Sequence, residues 1–159
     1  MIQKIIETFS EERKQYIFDE IIRNFEVLAI DKQGLCVMKK LIKHTKKKEL
    51  QRKIVDILCE RVMVYVQNEY GNFVVSEVLQ NYDFDTCKGI YDKIKHEFVK
   101  LSKNKYSSKF IEIFIEQSPQ DIQTEIIKEF VESTQLANVV ESSFGNYVLQ
   151  KILKTCSKS

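Results

Sequence analysis

The chain has 159 residues, the size of one ordinary domain, with 25 basic and 23 acidic side chains and a formal net charge of +2. That near-balance lacks the strong basicity of proteins held to nucleic acid by charge alone, and one proline and four glycines leave little room for turn-rich β architecture. No apolar run approaches the roughly 18 residues of a membrane span and no secretory apolar segment is evident, so a cytoplasmic chain is expected.

Met1, Ile2, Ile5 and Ile6 are spaced as one face of an amphipathic helix, and the chain is read as opening inside a helix of a partial unit, residues 1–24. The next block, residues 31–39, carries the small anchor Gly34. It returns at residues 68–76 around Gly71, at 106–112 around Ser107 and at 144–150 around Gly145. Anchors 36 to 38 residues apart mark stacked supersecondary units rather than one closed core. The expected units are 25–61, 62–97, 98–135 and a partial 136–159, together a single repeat domain over 1–159.

With the anchor as column zero, column +3 reads Val37, Val74, Phe110, Val148 and column +4 reads Met38, Val75, Ile111, Leu149. Column +7 reads Leu41, Val78, Phe114, Ile152 and column +8 reads Ile42, Leu79, Ile115, Leu153. This spacing is the buried stripe of a helix. Ile54 with Leu58, Ile90 with Ile94, and Ile122 with Ile126 begin further apolar faces between anchors. Column −6 (Leu28, Tyr65, Leu101, Val139) marks a short helix before each anchor. The prediction is about three helices per unit, with Lys46-Lys47-Lys48 and Ser118-Pro119-Gln120 in connections and Pro119 at a first helical position.

Columns +1, +2 and +5 centre opposite the apolar stripe, because each helical residue turns about 100°. They read Leu35, Cys36, Lys39; Asn72, Phe73, Ser76; Ser108, Lys109, Glu112; and Asn146, Tyr147, Gln150. Columns +1 and +5 are i and i+4 neighbours. By pattern alone this is either an ordinary solvated face or a recognition face. Other chemistry finds no footing. Cys36, Cys59, Cys87 and Cys156 lack metal-ligand spacing and read as reduced thiols, and His44 and His96 as surface residues. No phosphate loop, nucleophile elbow or zinc-protease motif is present, so no enzyme, metal or cofactor is expected.

Tyr70-Gly71-Asn72-Phe73-Val74-Val75 and Phe144-Gly145-Asn146-Tyr147-Val148-Leu149-Gln150-Lys151 resemble the second-helix signature of Pumilio-type PUF repeats. The resemblance covers essentially the whole chain, and the order of triplets is similar to the last four repeats of an eight-repeat member. It implies an all-α, right-handed solenoid of three-helix repeats curved into an arc, which reads single-stranded RNA one base per repeat. It implies base-edge contacts from Asn146 and Gln150 to uracil, from Ser108 and Glu112 to guanine, and from Asn72 and Ser76 to uracil with weaker discrimination because Ser76 is short. Leu35 and Lys39 depart from the family pattern and leave the fourth base open; Gln3 is the remaining reader of the partial repeat. Tyr147 and Phe73 are implied stackers, with Lys109 and Cys36 at the equivalent positions lacking a planar group.

In this family RNA runs antiparallel to the repeats, so the expected element is 5′-UGUN in messenger RNA 3′ untranslated regions, bound for translational repression with repressor or deadenylation proteins as partners. Two rivals are a ribosome-assembly PUF-like binder of low sequence specificity and an α-solenoid protein scaffold. Self-association through uncapped ends is also expected, since no terminal unit shows a polar outer face.

Overall fold

The structure, a computed structural model, describes residues 11–156. The expectations placed on Met1, Ile2, Gln3, Ile5 and Ile6 lie outside the described residues. Every described element is helical: α1 (Glu11–Arg23), α2 (Phe25–Ala29), α3 (Lys32–His44), α4 (Lys48–Glu60), α5 (Val62–Val66), α6 (Gly71–Asn81), α7 (Phe84–Ile94), α8 (Phe98–Ser102), α9 (Ser107–Gln117), α10 (Gln120–Glu132), α11 (Leu136–Glu141) and α12 (Gly145–Cys156). A short, a long and another long helix thus recur after α1.

The anchor column has a steric cause. A Cβ on Gly34 would stand 2.2 Å from the Leu28 carbonyl oxygen, and one on Gly71 would stand 2.7 Å from that of Tyr65. The short helix crosses the start of the long one at column −6 and leaves no room for a side chain. Ser107 has a Cβ, and there the Oγ donates to the Leu101 carbonyl at 2.7 Å, so the serine becomes a hydrogen-bonded spacer.

A second repeated device sits at column −3. Asp31 accepts from the backbone N–H of Gln33 and Gly34, Asn68 from Tyr70 and Gly71, Asn104 from Tyr106 and Ser107, and Ser142 from Phe144 and Gly145. These oxygens satisfy donors that a helix start leaves without an intrahelical partner.

Equivalent helices stack from unit to unit: α3 on α6, α6 on α9, α9 on α12, and α4 on α7. Met38, Ile42, Val74, Val75, Phe110, Ile111 and Phe114 fill the seams at 1% exposure or less. Phe98, Phe110 and Tyr91 surround Phe114 with ring centroids 5.6 to 6.2 Å from it. Burying this apolar surface, aliphatic and aromatic together, supplies most of the driving force. Ion pairs Arg61–Glu26 at 2.7 Å and Lys151–Glu116 at 3.0 Å tie neighbouring units at the surface.

Three details depart from the sequence expectation. Val37 and Leu149 are only half-buried. Leu153 is 66% exposed, because α12 is packed by α9 and α11 and its outer side faces solvent. Pro119 is the capping residue of α10 rather than its first helical residue, with extended backbone at ψ 162°.

Candidate recognition face

The long helices α3, α6, α9 and α12 present columns +1, +2 and +5 on one continuous face. Column +2 is exposed in all four: Cys36, Phe73 at 44%, Lys109 and Tyr147 at 58%. The stripe below is filled by other residues, which leaves these side chains outside the core.

Columns +1 and +5 are not the uniformly solvated rows that the helical wheel suggests. Asn72, Ser76 and Ser108 are buried. Adjacent long helices approach closely enough to cover short side chains on their flanks, and the polar atoms are satisfied at once. Asn72 Nδ2 donates to the carbonyls of Asn68 and Glu69 at 2.8 and 2.9 Å, and Ser76 Oγ donates to the Asn72 carbonyl at 2.7 Å. Ser108 Oγ reaches the Lys105 carbonyl at 3.4 Å.

The longer side chains do reach the face. Glu112 Oε2 lies 3.3 Å from the Lys109 ammonium, an ion pair within one unit. In the last unit Gln150 Nε2 donates to Asn146 Oδ1 at 3.2 Å, while Asn146 Nδ2 donates to the Ser142 carbonyl at 2.7 Å. The two amides are thereby linked across one helical turn.

Lys39 does something the sequence did not suggest. Its Nζ stands 5.5 Å from the centre of the Phe73 ring in the next unit and 3.7 Å from Glu77 Oε2. The ammonium therefore covers a ring that could otherwise stack on a base. Glu77 is a participant that attention to three columns missed; following the i, i+4 row from Phe73 leads to it.

Groups with displaced titration lie elsewhere. Burial, then Asp56, raises the Cys59 thiol to about 11, and burial raises Cys87 to about 12. Both are unreactive at neutral pH. At the entrance of α8 the Glu129 carboxylate accepts N–H groups from His96 at 3.0 Å and Val99 at 3.2 Å. Burial pushes its pKa up, against the downward pull of those bonds. Glu129 lines a cleft of about 720 Å³ between α7, α8 and α10, beside the Tyr91–Glu125 hydrogen bond.

Stacked three-helix units with a continuous long-helix face define a right-handed α-solenoid curved into an arc. The Pumilio-family RNA binding repeat matches residues 1–22, 24–59, 97–131 and 143–159, and the chain belongs to that family. The unit carrying Asn72, Phe73 and Ser76 falls outside these matches, yet it has the same helices, cap and close crossing.

Over 157 residues the chain is 28% identical to the Pumilio domain-containing protein C6G9.14 of Schizosaccharomyces pombe, covering 99% of this chain and 23% of that protein. It is 26% identical to Pumilio homology domain family member 4 of Saccharomyces cerevisiae, covering 99% of this chain and 18% of that one. The chain thus spans about a quarter or less of those two relatives. Among solved structures, the Puf4 RNA binding domain bound to an HO endonuclease RNA 3′ UTR recognition sequence superposes with a TM-score of 0.88 at 19% identity, over 97% of this chain and 47% of that one. The RNA-binding domain of yeast Puf5p bound to SMX2 RNA gives 0.80 at 23%, over 96% and 44%. Both likenesses are likenesses of fold.

Proposed function

We propose that the chain binds single-stranded RNA along its concave face, preferring 5′-UGU, and acts on 3′ untranslated regions in cytoplasmic post-transcriptional control. The observation that carries this reading is the register of the last two units. Ser108 with Glu112, and Asn146 with Gln150, stand at i and i+4 beside the exposed Lys109 and Tyr147. Guanine offers two adjacent N–H donors, and a carboxylate accepts both. Lys109 must yield Glu112 for this, and an exposed ion pair contributes only about 0–1 kcal/mol, so the exchange is inexpensive. The linked Asn146–Gln150 amides offer both donors and acceptors to uracil. Asn72 and Ser76 spend their donors on backbone carbonyls, so the second uracil is read more weakly.

The test is competition between 5′-UGU and 5′-UUU oligonucleotides at stated salt. UGU is expected to win by about 1–3 kcal/mol, the scale of one good base contact. Ser108→Asn with Glu112→Gln is expected to shift the preference towards uracil at that position. Equal affinity of the parent for both oligonucleotides rejects the reading.

The buried Asn72 and Ser76 and the occupied Phe73 favour one alternative, a PUF-like binder of low sequence specificity, over a protein scaffold. Such a binder shows no UGU preference in the same assay.

A further inference from the structure

The first full unit differs from the others in charge as well as in its missing readers. Leu35, Lys39 and Lys43 form one i, i+4, i+8 row along α3, and Cys36 with Lys40 forms the row beside it. The same two rows read Asn72, Ser76, Gln80 and Phe73, Glu77 on α6, and Ser108, Glu112, Glu116 and Lys109, Ile113 on α9. On α12 they read Asn146, Gln150, Lys154 and Tyr147, Lys151, with Lys151 paired to Glu116, so α3 carries the most lysines, three, with no carboxylate among them. Beyond α3, Lys46, Lys47, Lys48 and Arg52 are all exposed, and Glu49 is the sole acid from Lys32 to Lys53.

The charges are differently engaged. Lys39 is held by Phe73 and Glu77, and Lys48 pairs with Asp83. Lys40 and Lys43 have no ion-pair partner among the described residues. Meanwhile nothing on α3 can read a base: Leu35 has no polar atom, Cys36 has no planar group, and Lys39 sits over the ring on which a base would stack.

We infer that this unit is a phosphate clamp rather than a base reader. It takes the phosphodiester backbone of the RNA segment that follows UGU on its 3′ side, with Lys40 and Lys43 as the principal contacts and Lys39 closing the base slot against Phe73. This rests on the RNA reading above, because the antiparallel course brings the 3′ flank over α3. The ligand chemistry is a run of phosphodiesters, whatever bases they carry. The chain's near-neutral total of +2 conceals the site, since acidic side chains spread over the rest of the chain offset it.

The experiment uses the full chain and three probes in fluorescence anisotropy: UGU alone, UGU with a 3′ uridine extension, and UGU with a 3′ abasic extension of equal length. Both extensions are expected to raise affinity by the same factor. Lys40→Gln with Lys43→Gln is expected to abolish that gain while leaving the UGU-over-UUU preference unchanged. Neutralising two phosphate contacts to a single strand makes the salt slope shallower by about 1.4, so a roughly fourfold rise in salt weakens the variant about sevenfold less than the parent. A gain that requires bases in the extension overturns the clamp, as does a double variant that keeps the full gain. Loss of the UGU-over-UUU preference in the parent rejects the base reading instead, and the two failures are separable because the abasic arm does not depend on base identity.

Discussion

At the scale of single residues, the anchor column shows how one atom sets a repeat. Gly34→Ala places a methyl against backbone atoms of Leu28, all within 2.8 Å, and backbone cannot rotate away as a side chain can. The expected cost is about 1–3 kcal/mol, typical of overpacking, despite alanine's better helix propensity. Gly89→Ala is the control. Its nearest neighbour is the Cys59 sulfur at 3.1 Å, a side-chain atom able to shift, and Gly89 lies inside α7. There the helix propensity gain of up to about 1 kcal/mol is expected to show as unchanged or raised stability. Urea titration of both variants checks the pair; similar losses in both refute the crossing explanation. The small residue at 34, 71, 107 and 145 was legible as a period, but its reason was not, because the partner six residues earlier acts through its backbone and leaves no side-chain signature. Burial of Asn72, Ser76 and Ser108 was illegible for a related reason: a helical wheel knows its own axis and not the flank of the next helix.

At the scale of elements, α8 is fastened by a carboxylate from another unit. Glu129 on α10 accepts the N–H groups of His96 and Val99 where α8 begins. Its folded pKa is raised, chiefly by burial, above the usual glutamate value of 4.5. The native state therefore holds its proton more tightly than the unfolded chain does. The stability this group contributes is complete below the unfolded pKa and is lost as pH rises through the raised folded pKa. Glu129→Gln lacks that titration, so the stability of the parent relative to the variant is expected to decline as pH is raised from about 4 through the raised pKa. Melting of both proteins across that range measures it, and a parent–variant difference that grows with pH contradicts the assignment. The long helices from α3 onward were readable from apolar spacing, as were the short helices at column −6, whereas α1 over Glu11–Arg23 was not singled out. The column −3 caps were visible as Asp31, Asn68, Asn104 and Ser142 but not singled out, since polar residues before a helix look alike whether or not they bond. Lys39 bonding across to Phe73 and Glu77 could not be read from spacing, because the two units are related only through the stack.

At the scale of the whole molecule, the ties between units join residues about one repeat apart: Glu26 to Arg61, Lys39 to Glu77, Glu116 to Lys151. A chain whose tertiary contacts are this local closes only short loops as it assembles, so folding is expected to be fast for its length and to spread from unit to unit rather than nucleate once. Protection is then a property of position. Helices α6 and α9 each have a long helix on both sides, whereas α12 is flanked by α9 alone among the long helices described. Amide hydrogen exchange is expected to be slowest in α6 and α9 and to quicken through α12, and uniform protection across all four long helices contradicts this unit-by-unit scheme. Of these four helices α12 buries the fewest residues, Gly145, Val148 and Ile152, and it is the one bearing Asn146, Tyr147 and Gln150. A strand of RNA laid across several units would bridge the seams between them, so part of its binding free energy would be spent on holding neighbouring long helices together.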